Sequence, residues 1–293
     1  MTKKTQHDTD VLSAESLATL LRLLVTEPRV RVSRASIDGR TLWIKRYDVE
    51  AQPLAKRAHA ALSPLLPPYL RSSPPVNSQG AIDREIRKIA AFRADGFPVA
   101  DIVFRNETVL VFSDAAEIAQ QRLGRLRGVD EAAHDELLVG AASALARVHL
   151  AGLCHGRPHP RDMFVRDAEW GFIDFEEEPE AVMPLALAQA RDIWLLFLQI
   201  SNQALKAETT ARAFAAYRGG APEGVLSPLR DITRFFSVAT SPLRLLPMSM
   251  LGKDGRNILK GTGFLKAALA AADRPAVAGD FIAPTTGHDG PRG

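Results

Sequence analysis

Apolar residues recur at helical spacing over Val11–Val25, at Leu17, Leu20, Leu21 and Leu24, which predicts a first helix. Ser13 is placed to cap it, and Glu15 falls in the first turn, where the helix dipole favours a carboxylate. Ser16 stands where a full capping box needs Glu or Gln, so only half of that motif is present. Pro28 stops the pattern, and the period then changes. Val30–Tyr47 reads as two strands about Asp38-Gly39, a dipeptide that accepts the positive φ of a two-residue hairpin turn. Alternation in the second strand sends Leu42, Ile44 and Arg46 to one face and Thr41, Trp43, Lys45 and Tyr47 to the other.

Gln52–Gly80 is a proline-rich connection with one short helix near Leu54–Leu62. Ala81–Ala94 is helical, with Ile82, Ile86, Ile89 and Ala90 on one side and Gly96 and Pro98 closing it. Ile102–Phe104 and Thr108–Phe112 read as two strands joined at Asn106. Val129–Leu150 is an amphipathic helix stopped by Gly152, followed by short strands at Met163–Val165 and Gly171–Phe175. From Leu185 to Ala272 the pattern is helical, with breaks at Gly219-Gly220, Pro228 and Pro242–Pro247. There is no internal repeat. The pattern predicts an α+β fold in two lobes. A strand-rich N-terminal lobe with one main helix (30–114) precedes a helical C-terminal lobe (115–272), flanked by an N-terminal tail and helix (1–29) and a loose Pro/Gly-rich tail (273–293). The cleft between two such lobes is a common place for a ligand.

The 293 residues, 46% hydrophobic and 24% charged, supply enough apolar chain for a sizeable core and exclude a wholly disordered protein. The single cysteine, Cys154, excludes a disulfide framework and a cysteine-rich zinc site, and fits a reducing compartment. No apolar run approaches the ~20 residues of a membrane span, and Met1–Asp10 lacks the apolar core of a signal peptide. The chemistry implied is therefore that of a cytoplasmic protein. The net charge of +3 is compatible with anionic partners without naming one.

The segment with most chemistry in it is Ala144–Glu178: a helix ending at Gly152, a loop His155-Gly156-Arg157-Pro158-His159-Pro160-Arg161-Asp162, a short strand, and a second strand ending in Ile173-Asp174-Phe175. This order resembles the catalytic core of the protein-kinase-like superfamily, and most closely its small atypical branches: lipopolysaccharide (Kdo-type) kinases, RIO and Bud-type kinases, and aminoglycoside phosphotransferases. Those carry His-Gly-Asp-x-x-x-x-Asn and then Ile-Asp-Phe. Other pieces fall in the matching order across Val30–Ile200. Lys45, in Trp43-Ile44-Lys45-Arg46-Tyr47, stands at the strand lysine and Glu85 at its helix partner. Gly96-Phe97-Pro98-Val99 resembles a phrase of the sugar-lipid kinases, and Arg191-Asp192-Ile193-Trp194 the helix whose Asp anchors the catalytic loop.

The resemblance implies ATP and Mg²⁺ as cofactors. Lys45, held by Glu85, would grip the α- and β-phosphates, and Asp162 and Asp174 would hold the metal, since hard cations take carboxylate oxygens. Taken alone, Lys45 reads as a solvated charge on a strand edge, and the alternative for Asp174 is a turn or capping residue. Two departures concern the loop. Arg157 stands at the catalytic Asp position and Asp162 at the metal-binding Asn. A guanidinium cannot act as a base, although it could stabilise charge developing on a transferred phosphoryl group. Arg157 reads alternatively as a salt bridge to the acidic run Glu176–Glu178. No Gly-rich loop is present, Trp43 replaces the small residue that faces the base, and Glu176 replaces the glycine after Asp-Phe. Trp43 would either reshape the base pocket or stack on the base, or be an ordinary strand aromatic.

The stretch from Asp174 to Asp192 is short and lacks Ala-Pro-Glu, which favours a small or sugar-lipid acceptor over a peptide. His155 and His159 have the spacing of helical metal ligands, but Pro158 and Pro160 exclude a helix, so a zincin-like site is rejected. His155 is expected to bond backbone within the loop, His149 to pack or hydrogen-bond at the end of its helix, and Cys154 to be buried. The basic stretch Arg122–Arg127 and Arg244, Lys253, Arg256 and Lys260 read as a solvated face or as contacts to an anionic acceptor or the inner membrane surface. Without interleaved aromatics they make little case for nucleic acid. Two functions follow: an ATP/Mg²⁺ phosphotransferase acting on a sugar or other non-peptide hydroxyl, or a pseudokinase that binds nucleotide or nothing and regulates a protein partner.

Overall fold

The computed structural model describes residues 12–26, 30–49, 63, 66–71, 73–242, 247 and 250–272. The expected loose start at Met1–Asp10, the Pro28 stop, the short helix at Leu54–Leu62, Arg244 and the tail after Asp273 lie outside these residues. Helix α1 (Ala14–Thr26) is capped as its sequence predicts, the Ser13 hydroxyl accepting from the Ser16 amide at 3.1 Å. Strands β1 (Val32–Ile37) and β2 (Arg40–Arg46) pair with Ile37 opposite Arg40. Asp38 and Gly39 between them take φ of 51° and 74°, the left-handed pair a type I′ turn requires.

Helix α2 (Ser78–Ala94) begins three residues earlier than its apolar pattern, because the Asn77 side chain accepts from the Gly80 amide at 2.8 Å and caps it there. Strands β3 (Ile102–Arg105) and β4 (Val109–Ser113) follow, and the sheet is antiparallel in the order β1-β2-β4-β3. Asn106 makes the β3–β4 turn by accepting from the amides of Thr108 and Val109 at 2.9 and 2.8 Å. The predicted alternation of β2 holds. Leu42 and Ile44 pack with Ala35, Ile37, Val109, Val111 and Leu20 of α1, while Thr41, Trp43 and Lys45 line a cavity on the other face.

The rest is mainly helical: α3 (Ala119–Leu126), α4 (Glu131–Leu150), the two-stranded β5 (Met163–Arg166) and β6 (Glu169–Phe172), α5 (Leu185–Gln203), α6 (Thr209–Gly220), α7 (Leu226–Ala239) and α8 (Lys253–Ala272). The architecture is thus α+β. Its larger core gathers Phe92 of α2, Leu138 and Leu145 of α4, Ile193 and Phe197 of α5, Phe214 of α6 and Leu265 of α8. Among the described residues, no helix is long and apolar enough to cross a membrane.

Three differences from the sequence reading have local causes. Part of the Arg122–Arg127 stretch is helical: α3 anchors itself through Ala119 and Leu123, one helical turn apart, and turns its arginines outward. The last strand ends at Phe172 rather than Phe175, because the Ile173 amide turns to the Asp162 carbonyl at 3.0 Å and Asp174 adopts φ of 67°. Pro228 does not break a helix but lies in the first turn of α7, where its missing N–H would have no helical acceptor.

Candidate functional site

A cavity of about 720 Å³ lies between the β2 face of the sheet and the loops around β5 and β6. Strand alternation points Lys45 into it, and helical spacing places Glu85 in the buried α2 stripe Ile82, Glu85, Ile89 and Phe92. Lys45 Nζ donates to Glu85 Oε1 and Oε2 at 3.0 and 2.9 Å and to Asp174 Oδ1 at 2.6 Å, and lies 2.9 Å from Glu176 Oε1. Tyr47 donates its hydroxyl to Glu85, and Arg31 its guanidinium to Glu176. Burial works against the Lys45 charge, but Glu85, Asp174, Tyr47 and Glu176 together hold its pKa well above the ordinary lysine value.

Asp174 reaches Lys45 because its neighbours are pinned. Phe175 packs on Phe92 at a ring separation of 4.6 Å and on His155 at 5.2 Å, and Phe172 on Phe92 at 5.5 Å. Burial alone would raise the Asp174 carboxyl, but Lys45 outweighs it and holds the carboxyl at about 2. Asp162 stands beside it on the cavity wall. Burial and the Asp174 charge push Asp162 up to about 7, against the pull of Arg161, Arg157 and Lys45.

The loop between α4 and β5 hangs from one carboxylate. Asp192 on α5, fully buried, accepts from the His155 amide at 2.6 Å and the Gly156 amide at 3.0 Å. Gly156 is required here. Its φ is 105°, and a Cβ would stand 2.7 Å from the Glu177 carbonyl oxygen. His155 Nε2 meets the Ile173 carbonyl at 3.0 Å, and burial lowers its pKa and favours the neutral imidazole. His149 Nδ1 bonds the Tyr217 hydroxyl at 2.7 Å. Cys154 is buried, donates to Glu180 at 3.0 Å, and its thiol pKa is raised by burial, which leaves it unsuited to nucleophilic work.

Of the residues singled out from sequence, Trp43, Lys45, Glu85, Arg157, Asp162 and Asp174 all line this cavity. Arg157 is exposed and forms no salt bridge among the described residues. The alternative pairing with Glu176–Glu178 is therefore corrected. Glu176 pairs with Lys45 and Arg31, Glu177 accepts from Ser73 at 2.9 Å, and Glu178 pairs with Arg84 at 3.4 Å and Arg87 at 3.1 Å. Trp43 donates Nε1–H to Asp114 Oδ1 at 2.8 Å, which fixes its ring across one wall. His159 is extended, with φ of −144°, and the helical pairing of His155 with His159 does not form.

Among the described residues, no group of three or more His, Cys, Asp and Glu side chains is set to hold a metal by itself. The pair Asp162 and Asp174 fits Mg²⁺ in another way, since that ion keeps several waters and takes one or two carboxylates together with substrate phosphates. Asp162 is raised first by its burial and then by the Asp174 charge, and a cation between the two carboxylates would relieve that second part. Sequence reasoning gave no role to Arg31, Tyr47 or Asp114, and took Glu176 only as a missing glycine and as part of an acidic run for Arg157, not as a partner of Lys45. A scan against protein-family models returns no match, and a search of curated proteins returns none either.

Proposed function

We propose that this protein is a phosphotransferase of the protein-kinase-like kind, with the bilobal fold of that superfamily, using ATP and Mg²⁺ and acting on a sugar or other non-peptide hydroxyl. One observation carries the reading: Lys45, Glu85 and Asp174, far apart in sequence, meet in one ion cluster on the wall of a nucleotide-sized cavity. In this reading Glu85 orients Lys45 toward the phosphates, Trp43 borders the base, and Asp192 keeps the loop in register through two amides. Asp162 and Asp174 would hold Mg²⁺, which when bound supplies charge neutralisation at the phosphates.

Arg157 lines the same cavity with no salt bridge among the described residues and would face the transferred group. It offers charge to a loose, electrostatically stabilised transition state and cannot accept the acceptor's proton. Loss of a general base lowers rates by ~10²–10⁴, so slow turnover is expected. The guanidinium at the base position equally favours a second reading, a nucleotide-binding regulator of a protein partner without turnover. We place either activity in the cytoplasm, with contact to the inner membrane surface if the acceptor is a sugar-lipid.

Thermal stability with ATP, with and without Mg²⁺, beside Asp174→Ala tests the proposal. Ligand at ~100 times its Kd adds ~2.7 kcal/mol, a readily visible shift. A Mg²⁺-dependent shift that vanishes in Asp174→Ala is expected. No shift with nucleotide and metal together would end the nucleotide reading. A shift without phosphate release or transfer across sugar acceptors would favour the regulator.

A further inference from the structure

We propose that Glu176 sets the affinity of the cavity for its anionic ligand, by pairing with the Lys45 ammonium where a phosphate oxygen must approach. The inference rests on the nucleotide reading only for the identity of the ligand. An ammonium carries three N–H donors and no acceptor. Around Lys45 they go to Glu85 and Asp174, and Glu176 Oε1 lies 2.9 Å from Nζ as a third carboxylate against the same ammonium. An incoming phosphate must therefore displace a carboxylate.

The three competitors are not equivalent. Glu85 is 2% exposed and also held by Tyr47. Asp174 is fixed between Ile173, whose amide is bonded to Asp162, and the buried Phe175. Glu176 has a second cation, Arg31, on the open side of the cavity, and the Arg31 side chain is 36% exposed. Glu176 can leave Lys45 without becoming an unpaired buried charge, so it is the group that yields.

Exchange of one anion for another on Lys45 selects the ligand. A neutral nucleoside brings no charge to replace the carboxylate and gains nothing at this point. A polyphosphate does, but it then lies beside Asp162, Asp174 and the released Glu176, so its metal complex is favoured over the bare anion. The replacement of glycine by Glu176 after Asp-Phe thus converts a permissive turn into a gate keyed to charge.

The experiment is calorimetric titration of the wild type, Glu176→Gln, Glu176→Ser and Glu117→Gln with Mg·ATP, adenosine and Mg-tripolyphosphate. Glu117 lies on another wall of the cavity, paired with Arg125, and controls for the loss of one negative charge. Removing a competing charge-assisted bond should tighten Mg·ATP and Mg-tripolyphosphate by about tenfold to a hundredfold in both Glu176 variants. Adenosine should be unchanged, and Glu117→Gln should gain far less. Mg·ATP binding with no gain on loss of Glu176, or an equal gain in Glu117→Gln, would overturn the assignment and leave the nucleotide reading standing. A gain for tripolyphosphate without any binding of ATP or adenosine would do the reverse. No anion binding by any folded variant would overturn both.

Discussion

Lys45→Met keeps most of the side-chain volume and removes the ammonium that three carboxylates share. Asp174 and Glu176 are 29% and 23% exposed and can rehydrate, but Glu85 at 2% cannot, and would keep only the Tyr47 hydroxyl. At an effective dielectric near 20, opposite charges about 3 Å apart attract by roughly 5 kcal/mol, part of which desolvation cancels. Removing one partner of a buried pair costs ~3–5 kcal/mol, and the rehydration of Asp174 and Glu176 puts this case at the lower end of that range. For a chain of this size that corresponds to a fall in Tm of roughly 5–7 °C. Glu85→Gln in the same background removes the stranded charge while its amide still accepts from Tyr47, so the double variant should regain ~1–3 kcal/mol relative to additivity. The folded Lys45 titrates above its ordinary value of 10.5, so its contribution is complete below that pH and is lost only as pH rises through the higher folded value. Scanning calorimetry and urea unfolding at neutral pH measure all four forms. A loss below ~1 kcal/mol for Lys45→Met, or additivity within ~0.5 kcal/mol, would refute a coupled buried cluster.

Three further outcomes are expected. Gly156→Ala combines a left-handed φ with a 2.7 Å clash against backbone, and should lower stability by at least ~1–3 kcal/mol; an unchanged Tm would show that the loop can move aside. Asp192 has its carboxyl held below the ordinary 3.8, since His149 at 3.5 Å, the nearby His155 and the bond from the Gly156 amide outweigh its burial. Its contribution is therefore present above pH 3.8 and is lost as pH falls through the lower folded value, so stability measured down the acid limb should fall less steeply in Asp192→Asn than in wild type. Mg·ATP should change tryptophan emission through Trp43 at the cavity wall, and Trp43→Phe should abolish that change while Trp170 and Trp194 remain; an unaltered response would move the base away from this wall.

Much of the local structure was legible because it depends on neighbours in sequence. Asp38-Gly39 defines its turn, Ser13 caps its helix, and alternation along β2 separates core from cavity. Alternation placed Lys45 on the correct face, but the helical period set Ile86 and Ala90 inward where the structure buries Glu85 and exposes Ala90, and Glu85, Asp162, Asp174 and Asp192 were found only through the order of the motifs. The helix α3 escaped because three apolar residues in eight, only two of them buried, make too weak a period among polar neighbours.

Which charge meets which was a different matter. Periodicity reports the face a side chain takes and says nothing of its partner across the molecule. Arg31 and Lys45 pair with Glu176, Arg84 and Arg87 with Glu178, Lys88 with Glu180, and Trp43 with Asp114, all over long separations in the chain. Ion pairs need donor and acceptor within a few ångströms, and only the packing of α2 against the chain after β6, through Phe92, Phe172 and Phe175, brings these groups so close. The sequence by itself determined the elements, their faces and the residues carrying charge into the cavity. Tertiary structure alone decided that Arg157 forms no salt bridge among the described residues and that Lys45 arrives with three carboxylates already around it, because both depend on distances that no local pattern encodes.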